Sequence, residues 1–461
     1  MRKTWPLSIC RFVLPLVVCA AASGQQPKTE FMTLEAAQPV LREFAAKLPA
    51  ELGKVPDNAA WNGWVKAQDA SIRERLVLGE EDTLTNLLRF GVTYTKEYQI
   101  DREYLARYGQ STLVNSFADN RANDLVRALA SPDANEGMQQ MRAFLLERGY
   151  KFQTAGDRAR VKQHLLDNLA HMRDEFAQFR EKLRTADLKE QAQLYARRGI
   201  SLDTNLWPDY ALDQSLGELA RAGLLKPGSV RRIAIVGPGL DFVNKEFGND
   251  FYPPQSIQPF AVIDSLVRLG LTDAKNFELM TFDISPSVNI HLARAQKSAM
   301  TGKPYVVQLP WNSAVPFGQE YLAAFTGYWQ ALGDRIGTPV KPATVPLALA
   351  QDVHIRAVSI RPEIARHITP VDMNIVFERV AETEKFDLVI GTNIFIYYEA
   401  FEQSLARANL SAMLKPGGFV LSNDLLADNV PSQLEEAHRT TIEVRKNPQI
   451  TEHVYCYRRE R

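Results

Sequence analysis

The segment RRIAIVGPGLDF, residues 231–242, constrains the fold more than any other part of the chain. Its run Ile-Ala-Ile-Val at 233–236 is short and apolar, which is typical of a central strand in a parallel sheet covered on both faces. Gly237 and Gly239 follow directly, and residues without a Cβ let the backbone turn sharply and approach a ligand. The segment therefore predicts an α/β unit with a ligand site at the carboxyl end of this strand.

The length and the charge balance limit what kind of protein this can be. A chain of 461 residues is long enough for two or three domains. Lys and Arg together number 54, as do Asp and Glu, so the net charge is zero. Proteins that bind nucleic acids electrostatically usually carry a basic excess, so the composition argues against a nucleic-acid partner.

The first residues resemble a secretory signal. Arg2 and Lys3 precede the apolar run FVLPLVVCAAA at 12–22, which is too short for a comfortable membrane span. Small residues then offer two cleavage sites, one after Ala22 and one after Gly24. We therefore predict a signal peptide at 1–24, a periplasmic or secreted protein, and no stable membrane span in the mature chain. If translation starts at Met32 instead, the protein would be cytoplasmic.

The cysteines and histidines indicate neither a disulfide nor a metal site. Cys10 and Cys19 lie within the predicted signal, which leaves Cys456 alone in the mature chain. His164 and His171 are seven residues apart on a predicted helix, whereas a metal-binding pair on a helix is usually three or four apart. We therefore predict no metal site.

Residues 25–200 are predicted to form a helical domain. Its clearest helix spans about 157–185, where apolar residues recur every three or four positions. These residues are Leu165, Leu169, Met172, Phe176, Phe179 and Leu183. The stripe fits either a dimerising coiled coil or a helix packed on its neighbours, and its short length favours packing. The sequence leaves the oligomeric state open.

A second strand and an acid follow the glycine turn. Glu278–Phe282 is predicted to be a strand with Asp283 at its carboxyl end, and Ser285 and Pro286 are predicted to start the next helix. One carboxylate in this place can accept hydrogen bonds from both hydroxyls of a ribose. A dinucleotide fingerprint would need a third glycine near Phe242 and an acid about 20 residues on. S-adenosyl-L-methionine has no phosphate and does not need that glycine.

The rest of the chain alternates between predicted strands and helices. The third strand is predicted at 354–362, followed by Asp372 in a loop, and a fourth strand is predicted in KFDLVIGTNIFIYY, 385–398. Residues 406–424 are predicted to form a helix, a Pro-Gly-Gly turn and a fifth strand. Two further strands flank the turn at Asn447-Pro448.

Five motifs in this order resemble the class I S-adenosylmethionine-dependent methyltransferases: VGPGL, FDISP, VDMN, FDLVIGTNIFIYY and LKPGGFVLSND. The closing hairpin is similar to the reversed last strand of that family. The resemblance covers about 205–461. It implies an α/β, Rossmann-like seven-stranded methyltransferase sheet over 201–461, with an insertion at about 298–352, next to the helical N-terminal domain.

The resemblance also implies roles for particular residues. Gly237, Pro238 and Gly239 would line the methionine and ribose side of S-adenosyl-L-methionine, and Asp283 would bind the ribose hydroxyls. The remaining contacts would involve Ile284 on the adenine, Asp372 at the adenine amino group, Met373 on the ring face and Asn393 near the methionine. The implied activity is methyl transfer to a small molecule or a protein side chain.

The chain departs from the family pattern in the glycine motif. Ile235 stands where the family usually has an acid, and Asp241 stands where it usually has a third glycine. These changes leave open an alternative, a degenerate methyltransferase fold that serves as a non-catalytic binding or scaffold module. No catalytic residue is assigned. Tyr397, Tyr398 and Glu399 follow the fourth strand, and they either face the substrate or pack structurally.

Overall fold

The structure is a computed structural model of the chain. It describes residues 27–53, 56–100, 112–185, 199–202, 206–241, 250–312, 321–381, 385–426, 433–446 and 449–460. The predicted signal peptide therefore lies outside the described residues. No helix within these ranges is both long enough and apolar enough to cross a membrane.

The N-terminal part is helical after a short first strand. Asp57 caps the longest helix, because its side chain accepts a hydrogen bond from the backbone N–H of Ala60 at 2.8 Å. The elements are β1 (Thr29–Phe31), α1 (Leu34–Glu43), α2 (Asn58–Phe90), α3 (Thr112–Ala130), α4 (Glu136–Glu147) and α5 (Ala155–Thr185). Residues 58–90 form one continuous helix of 33 residues.

The remaining elements alternate between helices and strands. Ser285 caps α8, as predicted, and Pro286 is its first residue. The elements are α6 (Leu206–Arg221), β2 (Arg232–Val236), α7 (Gln258–Arg268), β3 (Glu278–Asp283), α8 (Pro286–Met300), β4 (Tyr305–Asn312), α9 (Ala323–Ala331), β5 (Gly337–Val340), β6 (Val353–Ile360), α10 (Pro362–Ala365), β7 (Ile368–Asp372), β8 (Glu378–Val380), β9 (Phe386–Gly391), α11 (Ala400–Met413), β10 (Leu414–Ser422), β11 (Leu434–Lys446) and β12 (Gln449–Arg459).

The described residues form a main sheet of seven strands in the order β7-β3-β2-β9-β10-β12-β11. Neighbours from β7 to β10 run parallel, whereas β12 is antiparallel to both β10 and β11. The reversed last strand is therefore confirmed. The sheet confirms the α/β, Rossmann-like fold that the sequence predicted.

The strand order places the site. From β2 the chain moves outward through β3 to β7, then returns to the other side of β2 with β9. Ligands of such sheets bind outside the carboxyl ends of the strands where the order reverses. The glycine turn follows β2 at this point, so the fold itself positions it for ligand binding.

The third strand of the main sheet is not the one that the sequence predicted. Residues 353–360 form β6, which lies between β4 and β5 in a separate antiparallel sheet of the described residues. The main sheet instead uses β7, at whose end Asp372 lies, beside Asp283 of β3. The insertion was predicted to end at about residue 352, but the separate sheet continues to Ile360 because β6 is its central strand. An apolar β-branched run predicts a strand, but its sheet is decided by long-range pairing.

The first half of α2 packs against the α/β unit. Trp61 and Trp64 stack with ring centroids 5.5 Å apart, and Trp64 also contacts Phe377 and Phe401. The Trp61 indole N–H donates to the backbone oxygen of Met32 at 2.8 Å. Residues on both sides of this contact belong to one buried apolar cluster, so α2 is anchored to the sheet by its aromatic residues.

The second half of α2 packs among the other helices. Leu165 and Leu169 of the predicted stripe are buried there with α2 and α3 residues, and Met172 packs at the edge. This contact confirms packing on neighbouring helices for that part of the stripe. The side chains of Phe176, Phe179 and Leu183 lie outside the described ones.

Gly79, in the middle of α2, allows an unusually close contact. A Cβ at this position would lie 1.8 Å from the carbonyl oxygen of Ile200, and one at Gly199 would lie 2.6 Å from the Gly79 nitrogen. Glycine at both positions therefore lets segment 199–202 lie directly on the helix, where the Ile200 N–H donates to the Arg75 oxygen at 3.2 Å.

We expect Gly79→Ala to destabilise the protein by about 1–3 kcal/mol, because the new methyl group would push segment 199–202 off α2. Gly63→Ala is the matched control, since Gly63 is an exposed position of the same helix where a Cβ would meet nothing within 4 Å. Helix propensity predicts that this control gains up to ~1 kcal/mol. Urea unfolding followed by circular dichroism measures both, and equal effects would contradict the close contact.

Candidate functional site

The glycine turn after β2 has the conformation that its sequence predicts. Gly237 and Gly239 have φ values of +64° and +67°, in the left-handed region that favours glycine. The Gly237 N–H donates to the Phe282 oxygen at 2.8 Å, which joins the turn to the end of β3. A Cβ at Gly237 would lie 2.0 Å from Cδ1 of Ile394, so this glycine is required on steric grounds as well.

Asp283 ends β3 next to this turn, and its side chain is buried. Its Oδ1 accepts a hydrogen bond from the Ser285 N–H at 2.7 Å, and Gly239 provides a second backbone donor. Burial outweighs these donors and raises the pKa of Asp283 to about 7. The carboxylate is thus placed to gain from further hydrogen-bond donors supplied by a ligand.

These residues line one cleft of about 790 Å³, its open mouth included. The structure brings together seven predicted site residues there: Gly237, Pro238, Gly239, Asp283, Ile284, Met373 and Asn393. Among the described residues, the lining contains Asp283 as its single charged side chain and neither lysine nor arginine. A cleft of this composition suits a ligand that offers hydroxyls and an apolar ring system rather than a pyrophosphate.

Asp372, the eighth predicted residue, lies outside the cleft lining. Its Oδ1 is 2.7 Å from Nη1 of Arg73, and about half of the side chain is exposed. Arg73 also donates to Asp69 and to the Ile284 oxygen, the latter at 3.3 Å. Opposite charges raise the pKa of Arg73 despite its desolvation. The helical part of the chain thus contacts the end of the site at which adenine recognition was predicted.

Asn393 follows β9 and has a strained backbone. Its φ of +57° is uncommon for a residue with a Cβ. Asn423, after β10, stabilises this conformation by accepting from the Asn393 N–H at 2.7 Å and donating to its side-chain oxygen at 2.8 Å. Asp424 then accepts from the N–H groups of Phe395 and Ile396. Two adjacent strand ends therefore shape the loop that carries Asn393 and Ile394.

The cleft is completed by residues from segments distant in the chain. Segment 200–202 forms one wall, and the Ser201 N–H donates to the Tyr397 hydroxyl at 3.4 Å. Tyr397 and Tyr398 line the cleft, whereas Glu399 caps α11 in a capping box. The position of the two tyrosines directly after a strand indicated that they could face the substrate, whereas no local sequence pattern marks segment 200–202 as part of the site.

The two departures from the family pattern are structural in this chain. Ile235 is fully buried in the apolar cluster beneath the sheet, together with Leu216 and Ile263. Asp241 is buried away from the cleft lining, where it accepts from the Tyr252 hydroxyl at 2.9 Å and from the Gln255 amide at 3.1 Å. Ile235 therefore stabilises the core, and Asp241 holds residues Tyr252 and Gln255 in place.

A buried polar group adjoins the floor of the cleft. Gln258, at the start of α7, donates through Nε2 to Oδ1 of Asp209 at 3.2 Å and to the hydroxyl of Thr392 at 2.8 Å. Gln258 and Thr392 line the cleft, as does Pro208, the neighbour of Asp209. Burial raises the pKa of Asp209 to about 7, although its bond from Gln258 opposes the shift.

The chain is similar to solved methyltransferase structures, although no family model and no curated protein matches it. N-methyltransferase NodS from Bradyrhizobium japonicum WM9 is 11% identical, with 54% of this chain and 95% of that chain covered and a TM-score of 0.27. Magnesium protoporphyrin IX methyltransferase (ChlM) from Synechocystis PCC 6803, with bound SAM, is 10% identical, with 60% and 86% covered and a TM-score of 0.26. The glycopeptide N-methyltransferase MtfA, complexed with SAM, is 12% identical, with 54% and 66% covered and a TM-score of 0.22.

We expect Asp209→Asn to stabilise the protein more at pH 8 than at pH 5. The pKa of Asp209 is about 7 when folded, above its ordinary value of 3.8, so the native state favours the protonated carboxyl. Ionisation therefore destabilises the wild type as the pH rises from 4 through 7, by up to ~4 kcal/mol. Melting temperatures of both proteins between pH 5 and pH 8 test this, and a constant difference would contradict it.

Proposed function

We propose that the protein is an S-adenosyl-L-methionine-dependent methyltransferase that acts on a small molecule or a protein side chain. The observation that carries this proposal is the cleft at the switch point of the sheet. There Asp283, at the end of β3, adjoins a turn of left-handed glycines, and no described lysine or arginine lines the cleft. An acceptor for hydroxyls beside apolar walls fits an adenosyl group without a pyrophosphate.

The residues present fit this cofactor. Asp283 would accept hydrogen bonds from the ribose hydroxyls, and its raised pKa reflects a buried carboxylate with few donors. The apolar Ile284 and Met373, both buried and both in the cleft lining, would contact the adenine. Gly237 and Gly239 would leave room for the methionine side near Asn393. Asp372 would reach the adenine amino group through the oxygen that Arg73 does not bind.

The chain's own residues would act mainly by positioning and by excluding water. When bound, the cofactor supplies an electrophilic methyl group, and an in-line displacement requires an aligned nucleophile. Segment 200–202 and Tyr397 form a wall across the cleft. This wall is anchored to α2 by Nη1 of Arg75, which donates to the backbone carbonyl oxygen of Tyr397 at 2.9 Å. We propose that the helical N-terminal part is a domain whose role is to close this wall.

Binding of S-adenosyl-L-methionine is the property that distinguishes the proposed enzyme from the alternative, a non-catalytic module. The departures at Ile235 and Asp241 do not enter the cleft lining. A protein that fails to bind S-adenosyl-L-methionine would support the scaffold alternative.

We expect the purified full chain to bind S-adenosyl-L-methionine, and Asp283→Ala to weaken binding by roughly 10–100-fold, since hydrogen bonds to a charged group are lost. Isothermal titration calorimetry measures both affinities. Asp273→Ala, which removes an exposed carboxylate of the loop before β3, is the matched control and should bind like the wild type.

The pH dependence sharpens this test. Because ribose hydroxyls favour the ionised carboxylate and the pKa of Asp283 is about 7, affinity should tighten by about tenfold between pH 6 and pH 8. Asp283→Ala should lose this dependence. Equal binding by wild type and variant would show that the ribose site lies elsewhere, and no binding by the wild type would contradict the proposed function.

We also propose that residues 1–24 direct export. Export conflicts with the proposed activity, because the cofactor is made and kept in the cytoplasm. Translation from Met32 would remove the signal peptide and with it this conflict. Such a start, however, would also remove β1, whose residues Thr29–Phe31 pair with Glu378–Val380. We therefore favour the longer chain.

Sequencing the N-terminus of the native protein decides between the two starts. We expect a mature end at Ser23 or Gln25, after one of the two cleavage sites. A native chain that begins at Met32 would contradict the export proposal and would place the protein in the cytoplasm with its cofactor.

A further inference from the structure

Two tyrosines follow β9 in the cleft lining, and they differ in how their hydroxyls are paired. The hydroxyl of Tyr397 accepts a hydrogen bond from the Ser201 N–H at 3.4 Å. Tyr398 also lines the cleft and has an exposed fraction of only 4%, yet its hydroxyl has no hydrogen-bond partner among the described residues. A tyrosine buried to this extent normally has its hydroxyl paired, so the unpaired hydroxyl of Tyr398 calls for an explanation.

A ligand in the cleft can reach this hydroxyl, which separates it from other unpaired polar atoms nearby. Oδ2 of Asp209 and Oε1 of Gln258 also lack partners among the described residues, but both atoms are enclosed and offer no accessible surface to a ligand. The enclosed unpaired atoms of the described side chains do not include the Tyr398 hydroxyl. This hydroxyl therefore keeps accessible surface, and its residue is part of the cleft lining.

The surroundings of Tyr398 relate it to the end of the cleft at which Asp283 lies. Its ring belongs to the same buried apolar cluster as Ile284 and Met373, and all three side chains line the cleft. Desolvation raises the pKa of Tyr398 above its ordinary value of 10, and the negative charges of Glu402 and Asp283 add to this shift. The hydroxyl therefore stays protonated at neutral pH, and it is a hydrogen-bond donor near the Asp283 carboxylate.

Hydrogen bonds on both sides of its backbone fix the position of Tyr398. Its N–H donates to the Phe395 oxygen at 3.1 Å, and its carbonyl oxygen accepts from Nε2 of Gln403 at 3.0 Å. The same nitrogen of Gln403 donates to the Phe395 oxygen at 2.9 Å. The turn that carries Tyr398 is therefore held before a ligand arrives, and a donor that is already in place loses little freedom on binding.

We propose that Tyr398 binds the ribose of the cofactor, and that its hydroxyl donates a hydrogen bond to a ribose oxygen while Asp283 accepts from the ribose hydroxyls. This inference rests on the proposed function. It assigns Tyr398 to the cofactor rather than to the methyl acceptor, and it leaves Tyr397 as part of the wall across the cleft.

A ribose needs both kinds of hydrogen-bond partner. Each of its hydroxyls has one hydrogen to donate and an oxygen that accepts through its lone pairs. Asp283 in its ionised form is an acceptor only, so it pairs with the hydrogens and leaves the oxygens without a donor. The Tyr398 hydroxyl supplies this donor. Because successive hydrogen bonds polarise one another, a ribose hydroxyl that donates to Asp283 also accepts more strongly from Tyr398.

Binding of ribose-modified ligands to the full chain tests the inference. The probes are S-adenosyl-L-homocysteine and its 2′-deoxy and 3′-deoxy analogues, each of which lacks one ribose hydroxyl. Isothermal titration calorimetry measures their affinities for the wild type and for Tyr398→Phe, which removes only the hydroxyl. We expect Tyr398→Phe to weaken binding of S-adenosyl-L-homocysteine about tenfold, because one hydrogen bond is lost. For at least one deoxy analogue the two proteins should agree within about twofold, because that ligand lacks the partner of Tyr398.

Two further variants complete the design. Tyr328→Phe is the matched control, because the hydroxyl of Tyr328 in α9 is also buried and unpaired among the described residues but does not line the cleft; it should bind all three probes like the wild type. Gln403→Met keeps the Tyr398 side chain and removes the amide that holds its turn. It should weaken binding of S-adenosyl-L-homocysteine roughly threefold through lost preorganisation, which provides an answer even if Tyr398→Phe folds poorly.

The outcomes separate this inference from the proposed function. If S-adenosyl-L-homocysteine binds the wild type and Tyr398→Phe alike, Tyr398 does not bind the ribose, and the proposed function stands. If Tyr398→Phe weakens all three probes by the same factor, the hydroxyl acts elsewhere, and the inference is equally wrong. If S-adenosyl-L-homocysteine does not bind the wild type, the proposed function fails, and the inference fails with it.

Discussion

The packing of α2 against the carboxyl ends of β3 and β7 is the interaction on which the site depends. Arg73 contacts Asp69 of its own helix and reaches Asp372, with a further contact to Glu378 at 3.5 Å. Without this cation, the three carboxylates would lie close together with no ion pair among the described residues to offset their repulsion, although Asn374 still donates hydrogen bonds to Asp69 and Glu378. Desolvation already raises the pKa of Glu378. The same helix carries Gly79, on which segment 199–202 rests. One helix thus neutralises the acidic edge of the site and supports its wall.

The cleft combines a hydrogen-bonded backbone with buried carboxylates in its lining or beside it. The left-handed glycines and the strained Asn393 are held by bonds from neighbouring strand ends, so the backbone is fixed before any ligand arrives. By contrast, Asp283 and Asp209 are carboxylates whose burial disfavours ionisation. Holding such groups costs stability, and this cost is expected at sites where a ligand supplies the missing donors.

Local sequence signals predicted much of the fold. The apolar run before Gly237 and the Ser285-Pro286 helix start are present as predicted. The reversed closing strand, which the family resemblance implied, is present as well. The assignment of 354–362 to the main sheet was wrong, because an apolar run predicts a strand but not its partners. Such pairing depends on contacts between segments that are distant in the sequence. The insertion contains β4 and β5, and these two strands pair with β6 on its two edges.

The sequence by itself determined the turn after β2 and the acid after β3, because glycine conformation and the ends of short strands are local properties. It could not determine which distant side chains would complete the site. Arg73 meets Asp372 across 299 residues, and Asp209 meets Gln258 across 49. Contacts of this kind leave no periodic or spaced pattern, since they arise only when helices and strand ends pack together. Tertiary structure alone therefore decided how the cleft is closed and which acceptors lie unpaired beside it.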